Sequence, residues 1–250
     1  MTTREAEPRF RLKFTPLLVT VLMGAALLIG SAFATMVVVR LFHLPPLKPS
    51  GLLFLYIQHG FMLVMALVAI AILKYRLVPA DYGLHLPRGK SYILPAILWG
   101  VGFATIIAAG SSWLDLILHI KHASSSISYT HKHAWGWAVF EGLYVGPTEE
   151  IPFRGLLVTY LAVTMPGKLR IGRFNMNWAG IIVALLFALA HIGSFWLESF
   201  VDALIQQGYA FAWGVLCAYW LEKSESILAA IVAHNIADGI TVVFWALGIF

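Results

Sequence analysis

Residues 148–155 read Thr-Glu-Glu-Ile-Pro-Phe-Arg-Gly and lie inside a long apolar run of the chain. Two adjacent carboxylates and an arginine therefore stand among mostly hydrophobic neighbours. Ionisable side chains at membrane depth cost at least about 2.5 kcal/mol each on insertion scales, so they persist mostly where they pair, line a wet cavity or do chemistry. The stretch predicts a membrane-embedded fold with a functional site inside it.

The composition of the whole chain indicates a polytopic membrane protein. Of its 250 residues, 60% are hydrophobic and 12% are charged, and the mean hydropathy is +0.83. Several apolar runs of about twenty residues are each long enough to cross a bilayer as a helix. Because these runs follow one another with short connections, we predict an all-α transmembrane helix bundle in which residues 1–250 form a single integral membrane domain.

The sequence lacks the features that are typical of several other classes of protein. The net charge of +5 comes mostly from Lys and Arg in connecting segments, so nucleic acid is not an expected partner. Cys217 is the only cysteine, which excludes a disulfide framework and a Cys-rich metal site. The sequence also contains no His-Glu-x-x-His zinc motif, no Gly-x-Ser-x-Gly nucleophile elbow and no Walker loop.

The apolar runs predict about seven spans, the first being a retained span rather than a signal peptide. Residues 79–90 are interpreted as a polar connector without helix, because they are rich in proline and glycine. Residues 167–177 are interpreted as a basic linker. The approximate spans are residues 14–41, 51–73, 92–118, 148–165, 178–192, 200–221 and 226–250.

A shorter helix is predicted before the fourth span. Residues 133–165 are too many for one straight crossing, because about 33 residues at 1.5 Å each reach about 50 Å against a core of about 30 Å. Gly146 and Pro147 supply a break, so residues 134–145 are predicted to form an interfacial or re-entrant helix. Thr148 then becomes the N-cap of the fourth span, with both glutamates in its first turn.

The distribution of Lys and Arg predicts a cytoplasmic N-terminus. With that terminus inside, the inner segments hold twelve of these residues and the outer segments hold four, namely Arg40, Lys48, Lys121 and Lys132. On this topology Glu149 and His191 fall near the outer end of their spans, and His234 falls nearer mid-depth. The site then opens away from the cytoplasm.

Ionisable side chains are few within the predicted spans, and three pairs there have helical spacing. Residues four apart lie on one face of a helix and are close enough to contact. Glu149 lies about 100° round the helix from Glu150, so it is free to point elsewhere. The pairs are Glu150 with Arg154, Phe187 with His191, and His234 with Asp238.

These side chains supply what a hydrolase needs, which is a base for water and a group that stabilises the oxyanion. Glu149, His191 and His234 also resemble a two-His, one-carboxylate set that binds a divalent metal such as zinc. Structural alternatives stay open. Glu150 with Arg154 fits an ion pair that holds the bundle together, and each histidine taken alone fits a packing role.

The remaining polar residues fit simpler roles. His59 and Asp115 are isolated and are expected to form local hydrogen bonds. Glu141 is not placed on the face of the site. A group of histidines in or beside a Ser-rich segment is interpreted as solvated loop residues rather than as metal ligands: His119, His122, His131 and His133.

Three motifs resemble those of a known family. Residues 149–155 match Glu-Glu-x-x-x-Arg, residues 187–191 match Phe-x-x-x-His, and residues 234–238 match His-x-x-x-Asn or His-x-x-x-Asp. They follow the family's order on separate predicted spans. On these motifs the chain resembles the CAAX-protease and bacteriocin-processing (CPBP, or Abi) family of intramembrane proteases.

The resemblance implies an activity and a catalytic half at about residues 133–250. The best-understood members remove the last three residues from prenylated CAAX proteins. The family is viewed either as metalloproteases or as metal-free glutamate proteases. The implied roles are water activation by Glu149 and His191, oxyanion stabilisation by His234 and Asp238, and support of the site by Glu150 and Arg154.

The chain departs from the CAAX enzymes at Asp238, where they have Asn. An ionised Asp accepts hydrogen bonds but cannot donate one to an oxyanion. Asp238 is therefore protonated in a dry site, orients His234, or favours a bound metal. The sequence leaves these three interpretations open.

We predict an intramembrane endopeptidase that hydrolyses a peptide bond with water activated by glutamate and histidine. The alternatives are a non-enzymatic membrane scaffold or immunity-type binding protein of the same family, and a transporter that uses Glu150, Arg154 and Asp238 as a relay. The predicted partners are the lipid bilayer and a peptide or protein substrate, with or without a lipid group. A divalent metal such as zinc is the one candidate cofactor.

Overall fold

The computed structural model describes residues 11–43, 51–118, 133–171 and 174–247, and it describes no side chains for residues 107–118. The histidines at 119, 122 and 131 and the side chain of Asp115 lie outside the described part. The described residues are helical apart from connectors and a short hairpin. The all-α class is therefore confirmed.

Long helices begin the described chain and agree with the first predicted spans. They are α1 (Phe14–Leu41), α2 (Leu52–Ile72) and α3 (Ile93–Leu118), and a π-helical turn, Leu73–Leu77, extends α2. The buried face of α1 carries mostly small and hydroxyl residues, which let neighbouring helices approach closely. These buried residues are Thr20, Gly24, Leu27, Ser31 and Thr35.

The connector between α2 and α3 contains no helix, as predicted, and residues 78–92 form it. Gly83 has a φ of 71°, and a Cβ there would lie 2.7 Å from Leu221 Cδ1, so only glycine fits. The Gly83 carbonyl accepts a hydrogen bond from Ile227 N at 3.1 Å, and Arg88 N donates to Ser224 O at 3.1 Å. These bonds fix the connector against the C-terminal part of the fold.

The helix that carries the first motif is continuous, so the predicted break at Gly146 and Pro147 is wrong. Residues 134–145 continue directly into the fourth predicted span. We call residues 134–164 the motif helix. In order it comprises α4 (Ala134–Val139), a π-helical segment (Phe140–Tyr144), α5 (Val145–Glu150), a second π-helical segment (Ile151–Val158) and α6 (Thr159–Thr164).

Thr148 is not an N-cap, because helical turns precede it. Its hydroxyl oxygen lies 2.8 Å from Tyr144 O and 2.9 Å from Val145 O, and donates back to these carbonyls. The two glutamates therefore lie in the middle of the motif helix rather than in a first turn. The prediction that Glu149 lies near the outer end of a span depended on the helix starting at Thr148, so the structure gives it no support.

A hairpin and further helices complete the described chain. The strands β1 (Lys168–Ile171) and β2 (Phe174–Asn177) pair antiparallel, with Lys168 opposite Asn177. The predicted linker at residues 167–177 is thus partly strand; runs of four residues give little periodic signal. The helices are α7 (Trp178–Ala190), α8 (Ser194–Leu197), α9 (Phe200–Ser224) and α10 (Leu228–Ala246).

A side chain of α10 explains why the motif helix continues through Pro147. Proline has no N–H, so the carbonyl of Leu143 loses its α-helical donor. Asn235 Nδ2 donates to Leu143 O at 3.3 Å, and Asn235 Oδ1 accepts from Gly146 N at 2.9 Å. A distant residue thereby satisfies the backbone groups that the local sequence leaves open.

The motif helix is the centre of the described fold. Leu156, Leu157 and Leu161 have no exposed surface, and α1, α2, α7, α9 and α10 all pack against it. The polar residues that it carries are consequently enclosed by several helices.

Four of the described helices are long and apolar enough to cross a membrane: Phe14–Leu41, Leu52–Leu77, Trp178–Leu197 and Leu228–Ala246. Large apolar side chains such as Ile29 and Phe33 are exposed along them, as expected of surfaces that face lipid. These features support an integral membrane protein. The other predicted spans coincide with α3, the motif helix and α9, and their crossing of the bilayer stays a prediction.

Candidate active site

The ion pair predicted from helical spacing is present. Arg154 Nε lies 3.2 Å from Glu150 Oε2, and the two side chains are 1% and 0% exposed. The guanidinium also lies over the ring of Phe187, 4.2 Å from its centroid. Burial of two charges is tolerated because each partner compensates the other. Arg154 thus connects the motif helix to α7.

Glu150 has a second partner that the local sequence did not predict. His234 Nδ1 lies 2.6 Å from Glu150 Oε1, and the imidazole is 7% exposed. The short distance is typical of a charge-assisted hydrogen bond in which the ring N–H donates to the carboxylate. Glu150 therefore joins the first motif to the third, and the other ring nitrogen of His234 is directed into the site.

Glu149 points away from Arg154, as its place on the helix predicted. Its Oε2 lies 3.7 Å from His234 Nε2 and its Oε1 lies 3.9 Å from His59 Nε2. Both separations are too long for direct hydrogen bonds. With 16% of its side chain exposed, Glu149 is the less buried of the two adjacent acids.

His191 comes from the end of α7, where it is the C-cap residue. Its Nδ1 lies 2.8 Å from the carbonyl oxygen of Phe187, one turn earlier. The ring of Phe187 meets it edge-on with centroids 4.9 Å apart, so the predicted aromatic neighbour is confirmed. If Nδ1 donates to the carbonyl, Nε2 is left as an acceptor. His191 lies within electrostatic range of Glu149.

Asp238 contacts His234 through the predicted i,i+4 spacing on α10. Its Oδ2 lies 3.2 Å from His234 Nε2, and its side chain is 23% exposed. Of the three interpretations of this residue, the contact matches the one in which the carboxylate orients the imidazole. Glu150 and Asp238 together hold the two ring nitrogens of His234.

Two polar residues near this centre were underestimated from the sequence. His59 forms a hydrogen bond, but with a distant helix rather than locally: Nδ1 lies 3.0 Å from Thr148 Oγ1, and its ring also faces Glu149. Asn235 supports the backbone at Pro147. Two features of the sequence could have drawn attention to them. His59 is a lone imidazole in an apolar run, and Asn235 is an amide next to a motif histidine.

A metal ion at Glu149, His191 and His234 remains a prediction. His191 and His234 direct Nδ1 to Phe187 O and to Glu150, and such second partners are typical of metal-ligating histidines. Within the described ranges, however, no three His, Cys, Asp or Glu side chains are grouped so as to hold a metal. The proposed mechanism uses no metal.

Comparison with known proteins identifies the part of the chain that carries this centre. Residues 131–240 match the family described as type II CAAX prenyl endopeptidase Rce1-like. The match includes the three motifs and leaves out α1, α2 and α3. No curated protein and no solved structure matches the chain.

Proposed function

From the membership of residues 131–240 in the CPBP family of CAAX-type intramembrane proteases, we propose that the protein is an intramembrane endopeptidase. The observation that carries this proposal is the meeting of Glu149, Glu150, His234 and Asp238 in one largely buried centre. A partly exposed carboxylate and a fixed imidazole lie there side by side. Peptide hydrolysis needs both.

Glu149 acts as the base in the proposed mechanism. It lies beside the pair formed by Glu150 and Arg154, so its carboxylate is free to take a proton from water. His191, with Nε2 left as an acceptor, holds the same water and directs it at the scissile carbonyl carbon. The proton then passes from Glu149 to the leaving amine, which completes the exchange of one water for one peptide bond.

His234 stabilises the oxyanion. Its Nδ1–H donates to Glu150, and a proton on Nε2 is shared between Asp238 and the oxyanion, so the ring is a cation that faces the site. The buried carboxylate favours this cation, and Asp238 orients it. A donor fixed in advance where negative charge develops is usually the largest single contribution to such a reaction.

The proposed substrate is a peptide or protein at the membrane, and its lipid group is the point to be tested. Purified protein in detergent is incubated with a quenched fluorescent peptide that ends in Cys-aliphatic-aliphatic-X, with and without a prenyl group. Cleavage of both forms supports a general endopeptidase, and cleavage of the prenylated form alone supports a CAAX substrate. If the protein binds but never cleaves these or other membrane peptides, it is a scaffold or immunity-type binder instead.

A chelator decides the question of the metal in the same assay. The proposed mechanism uses no metal, so we expect cleavage to persist after chelation. Loss of activity that zinc restores would replace the metal-free mechanism with a metal-dependent one.

We also propose a cytoplasmic N-terminus, which rests on the count of Lys and Arg alone. A cysteine introduced at Arg11 is to be labelled in intact cells with a reagent that does not cross the membrane. The proposal expects no labelling until the cells are opened; labelling of intact cells contradicts it.

A further inference from the structure

His59 is a residue of the site that the mechanism leaves without a role. It is the only His, Asp, Glu, Lys or Arg in α2, and it lies outside the segment that matches the family. Its side chain is 12% exposed. Because an imidazole at membrane depth is costly without partners, the groups that its two ring nitrogens face decide what it does.

One ring nitrogen is anchored to the motif helix. Nδ1 lies 3.0 Å from Thr148 Oγ1. The hydroxyl hydrogen of Thr148 is directed at the carbonyls of Tyr144 and Val145, so its oxygen is left to accept. The tautomer that satisfies this network has hydrogen on Nδ1 and a lone pair on Nε2.

The position of the ring is set by close packing between α2 and the motif helix. Phe140 meets His59 edge-on with centroids 5.1 Å apart. Tyr144 Oη donates to Tyr56 O at 3.2 Å. A Cβ at Gly60 would lie 2.9 Å from that same tyrosine oxygen, so the absence of a side chain permits this approach. The imidazole is held in place from several sides.

The other ring nitrogen faces Glu149. His59 Nε2 lies 3.9 Å from Glu149 Oε1, while Oε2 lies 3.7 Å from His234 Nε2. Each oxygen of this carboxylate thus faces a different imidazole, one from α2 and one from α10. A separation of this length between two polar groups is compatible with one bridging water.

We propose that His59 is a positioning residue, which holds the Glu149 carboxylate in its working orientation through one water that donates to His59 Nε2 and Glu149 Oε1. With Oε1 held on the side of α2, Oε2 stays directed toward His234. A neutral imidazole is sufficient for this role. The inference rests on the proposed function, in which Glu149 is the base.

Asn and Gln separate the roles of the two ring nitrogens. The amide nitrogen of Asn takes the place of Nδ1, so His59→Asn keeps the hydrogen bond to Thr148 and loses the group that faces Glu149. The amide of Gln reaches the place of Nε2, so His59→Gln does the reverse. His133→Asn, at the exposed start of the motif helix, is the matched control.

We expect His59→Asn to keep the thermal unfolding midpoint and KM of the wild type while kcat falls about tenfold, because a displaced base reacts slowly. We expect His59→Gln to recover part of kcat. The probe is the quenched prenylated peptide described above. If His59→Asn behaves as the wild type and His59→Gln loses stability and activity together, the residue is structural and the inference is overturned.

Two further measurements separate this inference from the proposed function. Glu149→Gln is assayed beside the His59 variants: full activity in Glu149→Gln removes the proposed function, whereas its loss with full activity in His59→Asn removes only the role of His59. The second measurement needs no substrate. The infrared difference between wild type and Glu149→Gln isolates the carboxyl band of Glu149, and we expect that band to shift in His59→Asn. An unchanged band contradicts the inference.

Discussion

His234 Nδ1 lies 2.6 Å from Glu150 Oε1, and the other oxygen of that carboxylate lies 3.2 Å from Arg154 Nε. One fully buried carboxylate therefore holds an imidazole from α10 and a guanidinium from its own helix. The two motifs that it joins are 84 residues apart along the chain. Stability and the geometry of the site depend on the same charge.

Replacement of Glu150 by Gln is expected to destabilise the protein strongly. The variant keeps the shape of the side chain but leaves the Arg154 charge buried without its partner, which typically costs about 3–5 kcal/mol. The thermal unfolding midpoint in detergent measures the change. Peptide cleavage should also fall, because His234 loses the negative charge that favours its cationic form.

The double variant Glu150→Gln, Arg154→Met is the control for that result. It removes both charges, so it should be more stable than Glu150→Gln alone. If the double variant loses, relative to the wild type, the full sum of the stability losses of Glu150→Gln and Arg154→Met, the two residues do not interact energetically and the buried pair is assigned wrongly.

Asp238→Asn is expected to remain active. The amide oxygen still accepts from His234 Nε2, and the amide N–H supplies a donor that an ionised Asp lacks. Asp238→Ala removes the contact and should reduce kcat at least about tenfold relative to Asp238→Asn. A steady-state assay of both variants decides the matter; an inactive Asn variant beside an active Ala variant excludes an orienting role.

Gly146→Ala is expected to distort the motif helix beside the catalytic acids. A Cβ there would lie 2.9 Å from the carbonyl oxygen of Ile231 and closer still to the side chain of Asn235. Because the backbone at Ile231 cannot move easily, we expect the free energy of unfolding to fall. Gly208→Ala is the matched control, because its Cβ meets nothing within 4 Å and helix propensity favours it by about 1 kcal/mol. Equal unfolding midpoints for both variants would contradict the close contact.

Asp81, in the connector outside the membrane-spanning helices, makes stability depend on pH. Burial raises its pKa, but the hydrogen bond from Gly83 N and the nearby His85 and Arg88 outweigh it and hold the pKa below its ordinary value. Such a carboxylate stabilises the fold above its unfolded pKa, and this contribution is lost as pH falls through the lowered folded value.

The test of Asp81 is a comparison with Asp81→Asn across pH. The wild type should be the more stable protein near neutral pH, and the difference in unfolding midpoint should vanish as pH falls below the ordinary carboxyl range. A difference that grows on acidification would reverse the sign and disprove this account of the connector.

The sequence predicted those contacts that helical periodicity determines. Glu150 with Arg154, Phe187 with His191 and His234 with Asp238 are all in contact, because residues four apart share a helix face whatever the rest of the fold. The bounds of the long apolar helices follow from the same local regularity.

Contacts between distant segments were not predictable in this way. The break expected at Pro147 is absent because Asn235, from another helix, satisfies the open backbone groups. The bond from His234 to Glu150 and the place of His59 beside Glu149 likewise arise from packing of α2 and α10 against the motif helix. No local pattern encodes which face of one helix meets which face of another.

In the proposed mechanism, Glu149 activates the water that cleaves the peptide bond. The most direct measurement is the rate of cleavage of the quenched peptide by the purified wild-type protein and by Glu149→Ala, with folding of both verified by their thermal unfolding. We expect cleavage by the wild type and none by a folded Glu149→Ala. Cleavage at the wild-type rate by Glu149→Ala would contradict it.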